Sequence, residues 1–121
     1  MRAIIDSDIL IDYLQGVESA RLELARYSRR EISIISWMEI MAGAESSEDA
    51  KACRDFLGTF TIHPLSPEIA AQAVVLRKKF RMRLPDAVVW ATARVEGCLL
   101  ISRNDKDFPA SEPGIRHPYT L

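Results

Sequence analysis

Only two cysteines, Cys53 and Cys98, occur in the 121 residues. That is too few for a disulfide framework, and it favours reduced thiols and a cytoplasmic home. No HExxH or CxxC spacing is present, so the usual metal-ligand signatures of helices and ribbons are missing. The five glycines, Gly16, Gly43, Gly58, Gly97 and Gly114, are scattered. None builds a loop that cradles phosphates, which excludes P-loop nucleotide hydrolysis. His63 and His117 each precede a proline at a segment end, and nothing pairs them with a serine or cysteine nucleophile. No apolar run approaches the roughly 20 residues of a membrane helix, and Asp6, Asp8 and Asp12 make the N-terminus unlike a secretory leader. Charge of one sign is lacking too. With 16 Lys+Arg against 17 Asp+Glu the net charge is -1, so any polyanion must be met by a local patch.

What is present is an ordinary globular mixture. Hydrophobic residues make up 48% and charged residues 27%, which argues against disorder. With no repeat, low-complexity tract or Gly/Ser linker, residues 1–121 read as one domain. Met1 to Ile5 is a short apolar run closed by Asp6, the look of a buried strand. Ser7 or Asp8 is positioned to cap a helix running to Gly16, and Val17, Ala20, Leu24 and Tyr27 then recur at helical spacing. Ile32 to Ile35 reads as a second strand, followed by helices from Ser36 to about Ala44 and from Glu48 to Leu57. Thr59 to His63 is a third strand cut by Pro64. Ser66 and Pro67 open a helix striped with Ile69, Ala73, Leu76 and Phe80. The segment from Pro85 to Glu96 is apolar on nearly all sides and predicts a buried helix stopped by Gly97. Cys98 to Ile101 is a fourth strand, and the tail around Ile115 adds a fifth. Strands alternating with helices predict an α/β fold: a parallel sheet of four to five strands with helices on both faces.

In such open sheets ligands sit beyond the carboxyl ends of the strands, and that is where acids gather. Asp6 leaves the first strand, Glu39 lies in the helix after the second, Asp86 opens the buried helix, and Asn104, Asp105 and Asp107 follow the fourth strand. Like charges ~4 Å apart cost about 4 kcal/mol per pair at an effective dielectric near 20, so unpaired acids take up protons or bind a cation. Mg²⁺ and Mn²⁺ favour oxygen ligands, and the chemistry they support here is attack of water on a phosphodiester. Each acid also has a plain structural reading. Ser36-Trp37-Met38-Glu39 fits a capping box, Asp86 complements a helix N-terminus, Asp6 is an ordinary strand-end residue, and Asp107-Phe108-Pro109 is a loop.

The ordered set of motifs resembles the PIN-domain ribonucleases, and within them the VapC-type toxins of toxin–antitoxin pairs. It runs through Ile5-Asp6-Ser7-Asp8-Ile9-Leu10-Ile11-Asp12, Ser36-x-x-Glu39-x-x-x-Gly43, Pro85-Asp86-Ala87-x-x-x-Ala91-Thr92-Ala93 and Ile101-Ser102-Arg103-Asn104-x-x-Asp107-Phe108. The resemblance covers essentially the whole chain. It implies an endoribonuclease using Mg²⁺ or Mn²⁺, a VapB-like antitoxin partner, a homodimer and no membrane role. It carries the catalytic and metal-binding roles onto Asp6, Glu39, Asp86 and Asp107, with Asn104 as a further metal ligand and Asp105 as a substitute. Asp8 stands where many members carry Asn, which adds negative charge.

Arg77, Lys78, Lys79, Arg81 and Arg83 place five cations in seven positions. They read as a strip that contacts RNA phosphates, or as a solvated helix face. Ser7 and Ser102 are candidate hydrogen-bonding groups at the site, with capping and turn roles as the alternative. Trp37 and Trp90 read as core rather than as base-stacking residues. Three other functions compete. A catalytically silent PIN fold would bind only RNA or an antitoxin. A phosphatase of the haloacid dehalogenase type would use Asp6-x-Asp8, but Leu10 stands where Thr or Val is wanted. A receiver-like signalling domain needs an acid closing a middle strand, where His63 stands instead.

Overall fold

The computed structural model describes residues 1–121. Strand β1 (Arg2–Ile5) runs into helices α1 (Ser7–Leu14) and α2 (Glu18–Ala25), and β2 (Arg29–Ser33) into α3 (Ile34–Ala42) and α4 (Ser47–Leu57). Strand β3 (Thr61–His63) precedes α5 (Pro67–Phe80) and α6 (Leu84–Glu96), and β4 (Leu99–Ile101) and β5 (Ile115–Arg116) complete the chain. All five strands are parallel, in the order β3-β2-β1-β4-β5. The chain therefore builds outward from β1 on one side, then crosses to its other side at β4. That reversal opens a crevice at the carboxyl ends of β1 and β4, where parallel sheets place ligands.

Alternation along the strands divides the core in two. Ile4 and Leu100 face a cluster built on α5 and α6, with Ile69, Ala73, Leu76, Val89 and Trp90. Ala3, Ile5, Ile32 and Ile101 face the opposite cluster with Ile9, Leu10, Leu24, Ile40 and Leu57. Trp90 is fully enclosed, with its ring edge-on to Phe108 at 6.0 Å; Trp37 packs half-buried against the second cluster.

Helix ends with strong local chemistry fall where the sequence puts them. Ser66 Oγ accepts the Ile69 amide at 3.1 Å with Pro67 as the first helical residue, and Gly97 ends α6 in the left-handed region at φ 67°. Two starts differ. The cap of α1 is Asp6, whose Oδ1 accepts the Ser7 amide at 2.8 Å, not Ser7 or Asp8. Helix α3 begins at Ile34 on the cap Ser33, whose hydroxyl accepts the Ile35 amide at 3.1 Å. The apolar run Ile32 to Ile35 thus straddles strand and helix, because a short apolar run carries no period that separates the two.

Candidate active site

Four positioning devices bring the acids to the β1–β4 crevice. Asp6 leaves β1 with its amide on the Ile101 carbonyl at 2.9 Å, so the sheet itself carries the backbone of this acid. Its Oδ2 accepts the Ser102 hydroxyl at 2.7 Å, and the residue is 6% exposed. Starting α3 at Ser33 rather than Ser36 moves Glu39 out of the first turn. The capping box therefore does not form, and Glu39 Oε1 instead accepts Ser7 Oγ at 3.3 Å. Asp86 sits in the first turn of α6. Asp107 is held by a local turn: its amide donates to Asn104 Oδ1 at 3.0 Å and its Oδ2 accepts Asn104 Nδ2 at 2.9 Å. Asn104 is thus engaged with Asp107, while Asp105 is exposed.

Asp8 joins this group. Its Oδ2 accepts the Arg103 amide at 3.0 Å and lies 3.2 Å from Ser102 Oγ, whereas its Oδ1 is buried with no hydrogen-bond partner. Ser102 is completely enclosed, so of its candidate roles the bond to a carboxylate is the one it fills. Ser102 Oγ also accepts the Asn104 amide at 3.0 Å, linking the first acid to the loop that carries the last.

The charges of these residues act on one another. Burial and the facing Asp8 push Asp6 well above the ordinary carboxylate range, with Asp86 adding to the effect. Burial likewise raises Asp8, and it raises Glu39 with help from Asp86. Burial raises Asp86 too, with Asp107 contributing. Elsewhere in the molecule buried acids behave in the opposite way. Glu31 is met at both oxygens by Arg2 at 2.7 Å and falls to about 2. Asp12 is met by Arg103 at 2.6 and 3.1 Å, and Glu23 by Arg116 at 2.8 and 3.0 Å. Burial pushes these two upward, but the arginine bonds outweigh it and leave both below the usual range. An arginine thus neutralises each of Asp12, Glu23 and Glu31, while the acids of the crevice receive neutral donors and two cations at a remove: Arg83, 3.4 Å from Asp86, and Arg103, whose charge acts on Asp8 while its guanidinium is bonded to Asp12. Of these acids only Asp6 is fully buried, Asp8 and Asp86 being half-buried and Glu39 exposed, and an unpaired buried acid such as Asp6 is destabilising unless the site has another use for it.

One other group of ligating atoms converges more tightly. Those of Glu31, His63 and Glu96 lie within 4.8 Å of one another, and His63 Nε2 is 2.7 Å from Glu31 Oε1. The Arg2 guanidinium already occupies that corner, bonding Glu31 and reaching Glu96 Oε1 at 3.2 Å, so it reads as a closed charge cluster. The crevice acids are more open, with no three of their oxygens within 4.8 Å. Openness of that kind suits a hydrated cation, since Mg²⁺ usually keeps several waters and takes one or two carboxylates.

Sequence alone gives no role to Arg103 or Tyr119. Arg103 ties the last motif to α1 through Asp12, and Tyr119 donates to Asp12 Oδ2 at 2.7 Å from the C-terminal tail. Arg103 already stood inside a recognisable motif; nothing local marks Tyr119.

The PIN domain family model matches residues 3–111. Ribonuclease VapC10 of Mycobacterium tuberculosis is 31% identical over 127 aligned positions, covering 98% of this chain and 93% of that protein. A toxin–antitoxin complex from Klebsiella pneumoniae contains a chain 40% identical, with a TM-score of 0.93 and coverage of 98% and 99%. FitAcB from Neisseria gonorrhoeae shares the fold at a TM-score of 0.83 and 17% identity, covering 98% of this chain and 99% of its own.

Proposed function

The chain belongs to the PIN-domain family, as a VapC-type member, and we propose that it is a metal-dependent endoribonuclease acting as the toxin of a toxin–antitoxin pair. One observation carries the reading: Asp6, Asp8, Glu39 and Asp86 are raised acids without a firm cationic partner, in a protein that gives Asp12, Glu23 and Glu31 an arginine each.

The donor set fits a hard divalent cation. It is all oxygen and contains the orphaned Asp8 Oδ1, while His117, beside it, has both ring nitrogens on the Ser102 and Phe108 carbonyls at 2.7 and 2.8 Å. Asp6, Glu39, Asp86 and Asp107 would hold Mg²⁺ or Mn²⁺, with Asn104 orienting Asp107 and standing as a further ligand. Such a cation supplies Lewis acidity, lowering the pKa of water and offsetting charge that develops on phosphate. The chain's own groups do the positioning. Ser102 fixes Asp6 Oδ2, Ser7 holds Glu39 Oε1, and the Asn104 turn aims Asp107.

RNA reaches the crevice past Arg77, Lys78, Lys79 and Arg81, which remain exposed, and Ser7 lies half-buried at its rim. The other components of the reading are a VapB-like antitoxin, a homodimer and a cytoplasmic location; no helix is long and apolar enough to cross a membrane. The Klebsiella pneumoniae complex and Ribonuclease VapC10 support the first component and the activity respectively.

The test is cleavage of single-stranded RNA with Mn²⁺ or Mg²⁺ by the wild type and by Asp6→Asn, which retains the α1 cap. Loss of cutting in the variant and in chelator supports the proposal. Equal cutting by both proteins refutes the site, and a wild type that binds RNA without cutting it leaves the silent, binding-only alternative.

A further inference from the structure

The five cations between positions 77 and 83 have different surroundings in the fold. Arg77 donates to the Met82 carbonyl at 3.0 Å and so closes the end of α5. The Lys79 ammonium lies over the Phe80 ring, 5.3 Å from its centroid. Arg81 takes the left-handed conformation that ends α5, at φ 54°. Lys78 and Arg81 form no ion pair with any acid. Arg83 alone turns to the crevice. Its terminal nitrogen is 3.4 Å from Asp86 Oδ2, and its charge also lowers Glu39 against the effects that raise it.

That contact is loose. The side chain of Arg83 is 82% exposed against 16% for Asp86, and 3.4 Å is well beyond the roughly 2.7–2.9 Å of a firm charge-assisted bond. Exposed ion pairs of this kind hold weakly and dissociate easily. Arg83 is also the residue from which α6 starts, yet its side chain makes no cap there. The guanidinium therefore has an anchored base and a head held only by its one long contact with Asp86.

We propose that Arg83 is the phosphate-binding residue of the crevice, covering Asp86 in the metal-free protein and moving to the RNA backbone when a divalent cation takes over the charge of Asp86. The inference rests on the nuclease reading and names a substrate contact within it. A planar guanidinium presents paired donors that match the two non-bridging oxygens of a phosphodiester. Lysine supplies the charge without the fork. Because Arg83 and the cation share Asp86, removing the arginine changes metal affinity and RNA affinity in opposite directions.

The experiment compares wild type, Arg83→Gln and Arg83→Lys by direct Mn²⁺ titration and by cleavage of an RNA oligonucleotide at several salt concentrations. In Arg83→Gln, Mn²⁺ binds severalfold more tightly while KM for RNA rises roughly tenfold, and the slope of log KM against log salt falls by about 1. Arg83→Lys restores the salt slope and part of the KM. Weaker Mn²⁺ binding in Arg83→Gln would mean that Arg83 merely orients Asp86, and an unchanged KM and salt slope would mean that it does not touch RNA; either overturns the inference. If the wild type cuts and Asp6→Asn does not, the nuclease reading stands whatever Arg83 does. If the wild type does not cut, both fall.

Discussion

The hydroxyl of Ser102 donates to Asp6 Oδ2 at 2.7 Å across 96 residues of sequence, with both groups buried. It is the joint between the exits of β1 and β4. Ser102→Ala removes the donor but not the acid, so a buried oxygen loses its partner at a cost of about 1–3 kcal/mol. Urea denaturation should register that loss. The pH needed for Mn²⁺ to bind should shift upward as well, because Asp6 loses a bond that favours its ionised form and so competes for a proton more strongly.

Asp6→Asn should make the metal-free protein more stable while ending its response to metal. The charge it removes is held at the expense of folding, and asparagine keeps the cap on Ser7 through its one carbonyl oxygen, while its amide faces Ser102 Oγ as a donor and leaves that hydroxyl to Asp8 Oδ2, 3.2 Å away. Thermal denaturation at pH 7.5 should show a rise of about 2–6 °C without Mn²⁺. Added Mn²⁺ should raise the midpoint of the wild type well beyond any rise in the variant. A variant less stable than wild type in chelator would contradict the account of Asp6 as an unneutralised acid.

Stability should depend on pH in two directions. Asp6, Asp8, Glu39 and Asp86 have folded pKa values above their unfolded ones. They stabilise the fold at low pH, and this contribution is lost as pH rises through the raised values. Asp12, Glu23 and Glu31 have lowered values, so their contribution exists above the ordinary carboxylate range and is lost as pH falls. Metal-free protein should therefore lose stability from pH 5 to pH 8 and also below pH 4. Saturating Mn²⁺ should remove the first loss and leave the second, which melting curves at stepped pH would record.

Ser33 and Ser36 separate the real helix start from the apparent one. Ser33→Ala removes the cap of α3 and should cost about 1 kcal/mol. Ser36 is buried with its hydroxyl unpartnered, so Ser36→Ala should be neutral or slightly stabilising. Chemical denaturation of the two variants decides the matter, and equal losses would restore the capping box.

The closed cluster around Glu31 should behave as structure and not as a metal site. Arg2→Met leaves Glu31 buried without its cation and should lower the melting midpoint on the order of 10 °C. Mn²⁺ affinity at the crevice should be unchanged in whatever folded protein remains at 20 °C. Calorimetric titration of Asp6→Asn with Mn²⁺ or Zn²⁺ should find no tight site at Glu31, His63 and Glu96.

Much of the fold was legible because it rests on local chemistry. Ser66-Pro67 before α5, Gly97 after α6 and the apolar Ala3-Ile4-Ile5 are signals that act within a few residues, and each lands where the sequence places it. The start of α3 was not legible, since Ser33 and Ser36 are both able caps and only the pairing of Glu31, Ile32 and Ser33 with β3 selects the first. For the site, the identity of Asp6, Glu39, Asp86 and Asp107 came from motif order. Which acids are neutralised did not.

By itself, then, the sequence determined the elements, the parallel sheet and the carboxylates that reach its edge, because strand period, caps and strand-end position are properties of neighbouring residues. Only the tertiary structure decided that Arg2, Arg103 and Arg116 go to Glu31, Asp12 and Glu23 and that no arginine firmly meets the crevice acids. The physical reason is that an ion pair between residues 91 or 93 positions apart, as in Asp12–Arg103 and Glu23–Arg116, is set by how packed layers bring side chains together, and no local pattern encodes that distance.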